Sequence, residues 1–218
     1  MNGTPPPQLA SPQPPLARRP LVRLRPDRGK PSIAPSGLRA VLFDRDGTLV
    51  IDIPYNGDPD RVHLRPAAAA AVRTARRAGV AVGVVSNQSG IGRGLLTVES
   101  TFAVAERVEG LLGRFDVWVV CPHAPADGCR CRKPAPGGLL MACALLGLDP
   151  STVGYVGDIG ADVAAAEAGG LRPILVPAPA TREEQIAAAP RAAPGLLTAV
   201  RALLGAPSRE HVRAAPNV

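Results

Sequence analysis

The sequence predicts an α/β fold, a Rossmann-like parallel sheet with helices on both faces, and three observations carry that reading. Short runs of Val, Ala and Leu recur without alternation, as strands buried on both faces do. Segments with helical spacing separate them. Each apolar run also stops abruptly at a polar cluster. Strands alternating with helices imply a parallel sheet, and such sheets bind ligands beyond the carboxyl ends of their strands.

In chain order, residues 39–43 form the first strand and empty into Asp44-Arg45-Asp46-Gly47-Thr48. Residues 66–78 read as an alanine-rich helix, with Pro66 at its first position and Gly79 at its stop. A second strand, 80–85, ends in Ser86-Asn87-Gln88-Ser89-Gly90. A helix over 97–112 and a strand over 116–120 follow. After a cysteine-bearing loop come a helix near 137–146, a strand at 153–156, a helix near 161–168 and a strand at 173–176. One or two closing helices occupy 182–204, and no internal repeat is apparent.

A chain of 218 residues suffices for one domain plus tails. Hydrophobic residues make up 46% and aromatics only 3%, so Ala, Val and Leu must build the core. Ten of the 25 prolines fall in the first 35 residues, which show no periodicity, and residues 1–37 are therefore expected to be a disordered arm. Residues 38–205 form the expected domain and 206–218 a tail. The net charge is +7, but up to Arg39 six Arg and Lys30 face only Asp27, so the domain itself has almost no basic excess. Nucleic acid is accordingly not the expected partner. Neither a secretory signal nor a membrane-spanning run is present, which points to the cytoplasm. A monomer is the expected state.

Asp44 and Asp46 stand two apart just after a strand, so both carboxylates can face one pocket. One can act as nucleophile toward phosphorus if a metal offsets the repulsion between two anions, and the other as general acid and base. Ser86, followed by Asn87 and the run Gly90-Ile91-Gly92-Arg93-Gly94, suits phosphate oxygens. Lys133, between Arg132 and Pro134, offers a cation for a transferring phosphoryl group. Asp158, with Asp162 four residues on, adds oxygens suited to Mg²⁺. Separately, Cys121, His123, Cys129 and Cys131 match a closed structural zinc set. Cys143 reads as a core residue and His63 as a loop residue.

These clusters, in the order acid pair, hydroxyl, lysine, acid, resemble the haloacid-dehalogenase superfamily. Within it, Asp44-Arg45-Asp46-Gly47-Thr48-Leu49, Ser86 through Gly94, Cys121-Pro122-His123, Cys129 through Pro134 and Val156-Gly157-Asp158 resemble the family of heptose 1,7-bisphosphate phosphatases and histidinol-phosphate phosphatases. The resemblance spans about residues 40–204. It implies the fold above without a large cap domain and with a zinc-binding loop. It further implies Asp44 as nucleophile, Asp46 as acid/base, and Mg²⁺ on Asp44, the Asp46 carbonyl and Asp158, with Asp162 in support. Ser86 and Lys133 would steady the phosphoryl group, while Asn87, Arg93 and Arg132 would contact the substrate, a small phosphorylated sugar. Zn²⁺ would sit on Cys121, His123, Cys129 and Cys131. Two departures bear on the substrate: the stretch between His123 and Cys129 is short, and Val50 follows the first motif. Another small-metabolite phosphatase and a non-catalytic zinc-stabilised module are the competing readings.

Overall fold

The computed structural model describes residues 19–25, 29–205 and 213–214. The rest of the expected N-terminal arm and C-terminal tail lies outside the described residues. The strands are β1 (Leu21–Leu24), β2 (Ala40–Phe43), β3 (Ala81–Asn87), β4 (Val117–Cys121), β5 (Val153–Gly157), β6 (Arg172–Leu175), β7 (Arg191–Ala192) and β8 (Arg213–Ala214). Between them run α1 (Ala68–Arg77), α2 (Ser89–Gly92), α3 (Val98–Leu112), α4 (Gly137–Leu146), α5 (Gly160–Ala168), α6 (Glu183–Ala188) and α7 (Leu196–Leu204).

One sheet takes the order β1-β4-β3-β2-β5-β6-β7-β8, parallel except at its two edges, where β1 and β8 are antiparallel. All four residues of β2 are buried, because the strand has a sheet neighbour on each side and helices on each face. Its alternate side chains split between two cores. Val41 and Phe43 join residues of α1, α3 and α7, while Ala40 and Leu42 join residues of α4 and α5. From β2 the chain winds first to β3 and β4 on one side, then crosses to β5 on the other. That reversal leaves a crevice at the carboxyl end of β2.

The helices and strands of the centre match the sequence expectation to within one or two residues. At the periphery there are differences. Leu21–Leu24 was expected within a disordered arm, yet it pairs with β4, from Leu21 with Val120 to Leu24 with Val117. Three apolar residues here suffice to lay a strand on an edge that is already formed. Residues 213–214, expected in the tail, pair with β7. Pro66 does not open α1: Ala67 takes a left-handed φ of 60°, so the helix begins at Ala68. The glycine-rich stretch after Ser86 contains a single helical turn, α2.

Because Leu42 is wholly buried between β3, β5 and the α4–α5 layer, Leu42→Ala should cost about 2–5 kcal/mol. Urea denaturation measures this, and a midpoint equal to that of the unmodified chain would contradict the packing described.

Candidate active site

The sheet register decides which side chains meet. Phe43 is level with Val84 on β3 and Val156 on β5, so the residues just beyond them converge. Asp44 extends the ladder by one bond, its N–H donating to the Val156 carbonyl at 2.9 Å. The chain then turns through Gly47, whose φ of +75° disfavours any side chain and where a Cβ would collide with the Asp158 carboxylate. Thr48 Oγ1 donates to Asp158 Oδ1 at 3.0 Å, tying the β2 loop to the β5 loop.

A pocket of about 250 Å³ opens here. Asp44, Asp46, Ser86, Asn87, Arg132, Lys133, Asp158 and Asp162 all line it, so eight of the site residues expected from sequence share one cavity. Arg93 is not among them. Its guanidinium donates to Tyr55 Oη at 2.7 Å, and Tyr55 lines the cavity in its place.

At the floor, the buried Lys133 ammonium donates to Asp44 Oδ1 at 2.5 Å and to Asp162 Oδ1 at 2.6 Å. Burial alone would push Lys133 down, but the Asp162 and Asp44 carboxylates outweigh it and hold the group well above its usual value. Asp44 is pushed well upward by burial, against the pull of Lys133, with Asp162, Asp158 and Asp46 adding to the rise. Asp158 is pushed up to about 6 by burial first and by Asp162 second. One ammonium thus faces three buried carboxylates, Asp44, Asp158 and Asp162, whose oxygens lie within 4.8 Å of one another. Asp162 also accepts from the Asp158 and Ile159 N–H groups through Oδ2, so both of its oxygens are engaged. The anionic excess falls on Asp44 and Asp158, and an all-oxygen site of that charge fits a hard divalent cation such as Mg²⁺.

Above the floor, Asp46 accepts from Arg45 Nε at 2.9 Å and Nη2 at 2.8 Å, and from Gln88 Nε2 at 2.7 Å. The same Gln88 amide donates to Ser86 Oγ at 2.8 Å. Asn87 pairs with the Lys133 backbone in both directions, each bond 3.1 Å. It therefore anchors the lysine's chain as well as lining the cavity. Arg132 keeps a buried Nη1 that has no partner among the described residues.

The second cluster lies next in sequence to Arg132. Cys121, His123, Cys129 and Cys131 gather with all ligand atoms within 4.8 Å of one another and five of the six pairs at 3.3–3.6 Å, His123 presenting Nδ1. Zn–S bonds of about 2.3 Å and a Zn–N bond of about 2.0–2.1 Å set tetrahedral edges of roughly 3.5–3.8 Å, so the set fits zinc. Cys131 donates to Cys121 Sγ, the main cause that brings the Cys121 thiol down to about 5. Cys143 lies apart in the core, pushed up to about 11 by burial.

Sequence reasoning passed over Tyr155, whose hydroxyl sits 2.8 Å from Lys133 Nζ, because nothing distinguishes it within a buried apolar strand. Gln88 and Thr48 sat inside motifs singled out for other residues. Spacing could not reveal the bonds they make across loops.

A family model of haloacid dehalogenase-like hydrolases matches residues 55–170. Asp44 and Asp46 fall outside that stretch, and the sheet register is what brings them to Lys133 and Asp158. Over 141 residues the chain is 37% identical to the D-glycero-β-D-manno-heptose-1,7-bisphosphate 7-phosphatase of Pseudomonas aeruginosa, covering 62% of this chain and 79% of that protein. It is 40% identical over 151 residues to the enzyme of the same name from Mesorhizobium japonicum, covering 64% and 69%. Among solved structures, D,D-heptose 1,7-bisphosphate phosphatase from B. bronchiseptica, complexed with magnesium and phosphate, superimposes with a TM-score of 0.70 at 29% identity. That match covers 77% of this chain and 99% of the other.

Two outcomes follow from the geometry. Cys129→Ser should lower both bound zinc, read by elemental analysis, and melting temperature; a zinc-free wild type would refute the tetrahedral site. Protons compete for Asp158 and Asp44, so Mg²⁺ should raise the melting temperature at about pH 7.5 and do so less as pH falls through about 6. Without the ion the sign reverses. Asp158 is raised from its ordinary 3.8, so its ionisation destabilises the metal-free fold as pH rises between that value and about 6. Melts across pH with and without Mg²⁺ read both effects, and a Mg²⁺ increment independent of pH would contradict them.

Proposed function

The chain belongs to the haloacid dehalogenase-like hydrolases, and on that premise we propose that it removes the 7-phosphate of D-glycero-D-manno-heptose 1,7-bisphosphate through an aspartyl-phosphate on Asp44. The observation that carries the reading is the buried contact of Lys133 with Asp44 at 2.5 Å, in the same small cavity as Asp46, Ser86 and Asp158.

Asp44 gives one oxygen to Lys133 and keeps the other for attack on phosphorus. As the new O–P bond forms, the bond to the sugar oxygen breaks and Asp46 protonates that leaving oxygen. Asp46 then takes a proton from water, the water attacks the phosphorus of the aspartyl-phosphate, and inorganic phosphate leaves with Asp44 restored. Ser86 donates to a phosphoryl oxygen, and the Lys133 ammonium beside Asp44 offsets the charge that shifts onto the phosphoryl group. Arg132 brings its unpartnered N–H to an acceptor on the substrate, Asn87 borders the same space, and Arg93 acts only through Tyr55, to which its guanidinium donates. Asp44, Asp158 and the Asp46 carbonyl would hold Mg²⁺, which supplies the positive charge that lets two anions approach. Zn²⁺ on Cys121, His123, Cys129 and Cys131 would be structural.

A cavity of about 250 Å³ supports a small phosphorylated sugar rather than a macromolecular end. We take residues 38–205 as the catalytic domain. A cytoplasmic, monomeric enzyme belongs to the same proposal, and the crowded thiols suit a reducing compartment.

The decisive assay measures phosphate release from both heptose bisphosphate anomers, fructose bisphosphate and histidinol phosphate, with Mg²⁺ and with EDTA. A heptose bisphosphate should be turned over best, and EDTA should stop the reaction. Asp44→Asn should lower kcat by at least about a thousandfold while leaving the fold intact. Substantial activity in that variant would overturn the mechanism, and a preference for histidinol phosphate would reassign the substrate.

A further inference from the structure

An ammonium has three N–H donors, and Lys133 Nζ has four oxygens around it. Asp44 Oδ1 and Asp162 Oδ1 take two donors in charge-assisted bonds of 2.5 and 2.6 Å. The third faces two neutral acceptors, Tyr155 Oη at 2.8 Å and the Val85 carbonyl at 3.2 Å. Tyr155 in turn has one proton to donate, and that same carbonyl at 3.0 Å is its shorter acceptor, Asp162 Oδ1 lying at 3.4 Å. With its hydrogen turned to β3, the phenol presents lone pairs to the ammonium and supplies the Val85 oxygen with a donor of its own.

Packing does not require this hydroxyl. Tyr155 is 1% exposed and lies in an apolar cluster with Leu42, Val85 and Leu139, where a phenylalanine ring would fill the same space. A buried hydroxyl is costly unless it is hydrogen-bonded, and here both its donor and its acceptor roles are spent on the surroundings of one lysine.

We propose that Tyr155 is a positioning residue for Lys133. Its hydroxyl takes the third ammonium proton and occupies the Val85 carbonyl, so Nζ stays beside Asp44 instead of settling onto the β3 backbone. The catalytic consequence rests on reading Lys133 as the cation that steadies the transferring phosphoryl group. Small misplacements of such a group are expensive in rate.

Tyr155→Phe in the full-length, metal-loaded protein frees the Val85 carbonyl to pull the third N–H toward itself. The expected result is a kcat lower by about tenfold, with KM within about twofold and little change in melting temperature. The contact can also be read without turnover, since Lys30 and Lys133 are the only lysines in the chain. With ¹⁵N-lysine, the buried ammonium gives the slowly exchanging signal of the two, and Tyr155→Phe should shift it. If that variant does not fold, 3-fluorotyrosine incorporated at both tyrosines weakens the same acceptor with nearly the same shape and should shift the same signal. An unmoved resonance with unchanged kcat overturns the proposal. So does activity that falls only in step with the folded fraction. A wild type inactive on every phosphate ester would sink the phosphatase reading alone, because the resonance still decides whether the phenol holds Lys133.

Discussion

One buried ammonium shared among carboxylates organises the crevice at the carboxyl end of the sheet. Lys133 is 5% exposed and sits against Asp44 and Asp162, with Asp158 close by. Charges of this kind are tolerated in a protein interior only when paired and hydrogen-bonded. Three acids to one base leaves the pairing incomplete: burial pushes Asp44 and Asp158 upward, and the neighbouring carboxylates add to the rise. A divalent cation held by Asp44 and Asp158 would offset that excess of negative charge and suit the cluster to phosphoryl chemistry.

Much of the surrounding fold serves to deliver the lysine. It lies on a loop, not on a strand, and two separate devices fix that loop. The Cys121, His123, Cys129, Cys131 cluster closes the segment just ahead of it. The Asn87 amide then clasps the Lys133 backbone from the end of β3. Gly92, Gly137 and Gly138 let the loop lie against α2 and α4, since a Cβ at any of them would press on loop backbone. The zinc-type ligand set and the lysine are thus consecutive stretches of one chain segment, so loss of zinc would disturb the placement of the lysine.

The central sheet was legible because β2, β3 and β5 are built on short apolar runs, each of which stops abruptly at a polar cluster. Asp44, Ser86 and Asp158 could be placed together from that alone. The edges were not legible: Leu21–Leu24 has strand character only because β4 offers it a partner, and its flanking prolines and arginines hide it. Asp162 was foreseen merely as support, whereas it receives the lysine directly and holds two backbone N–H groups. Such roles depend on which loops meet in space, and no local pattern encodes that. Arg93 shows the opposite case: a cation in a phosphate-like glycine run whose guanidinium is turned to Tyr55.

Asp44 and Asp158 put an excess of buried negative charge at the carboxyl end of β2, where a divalent cation would bind. An anomalous difference map from crystals of the full chain grown with Mn²⁺ in place of Mg²⁺ tests it most directly. A single strong peak within bonding distance of Asp44 and Asp158 is expected. Manganese bound elsewhere, with the space between those two carboxylates empty, would contradict it.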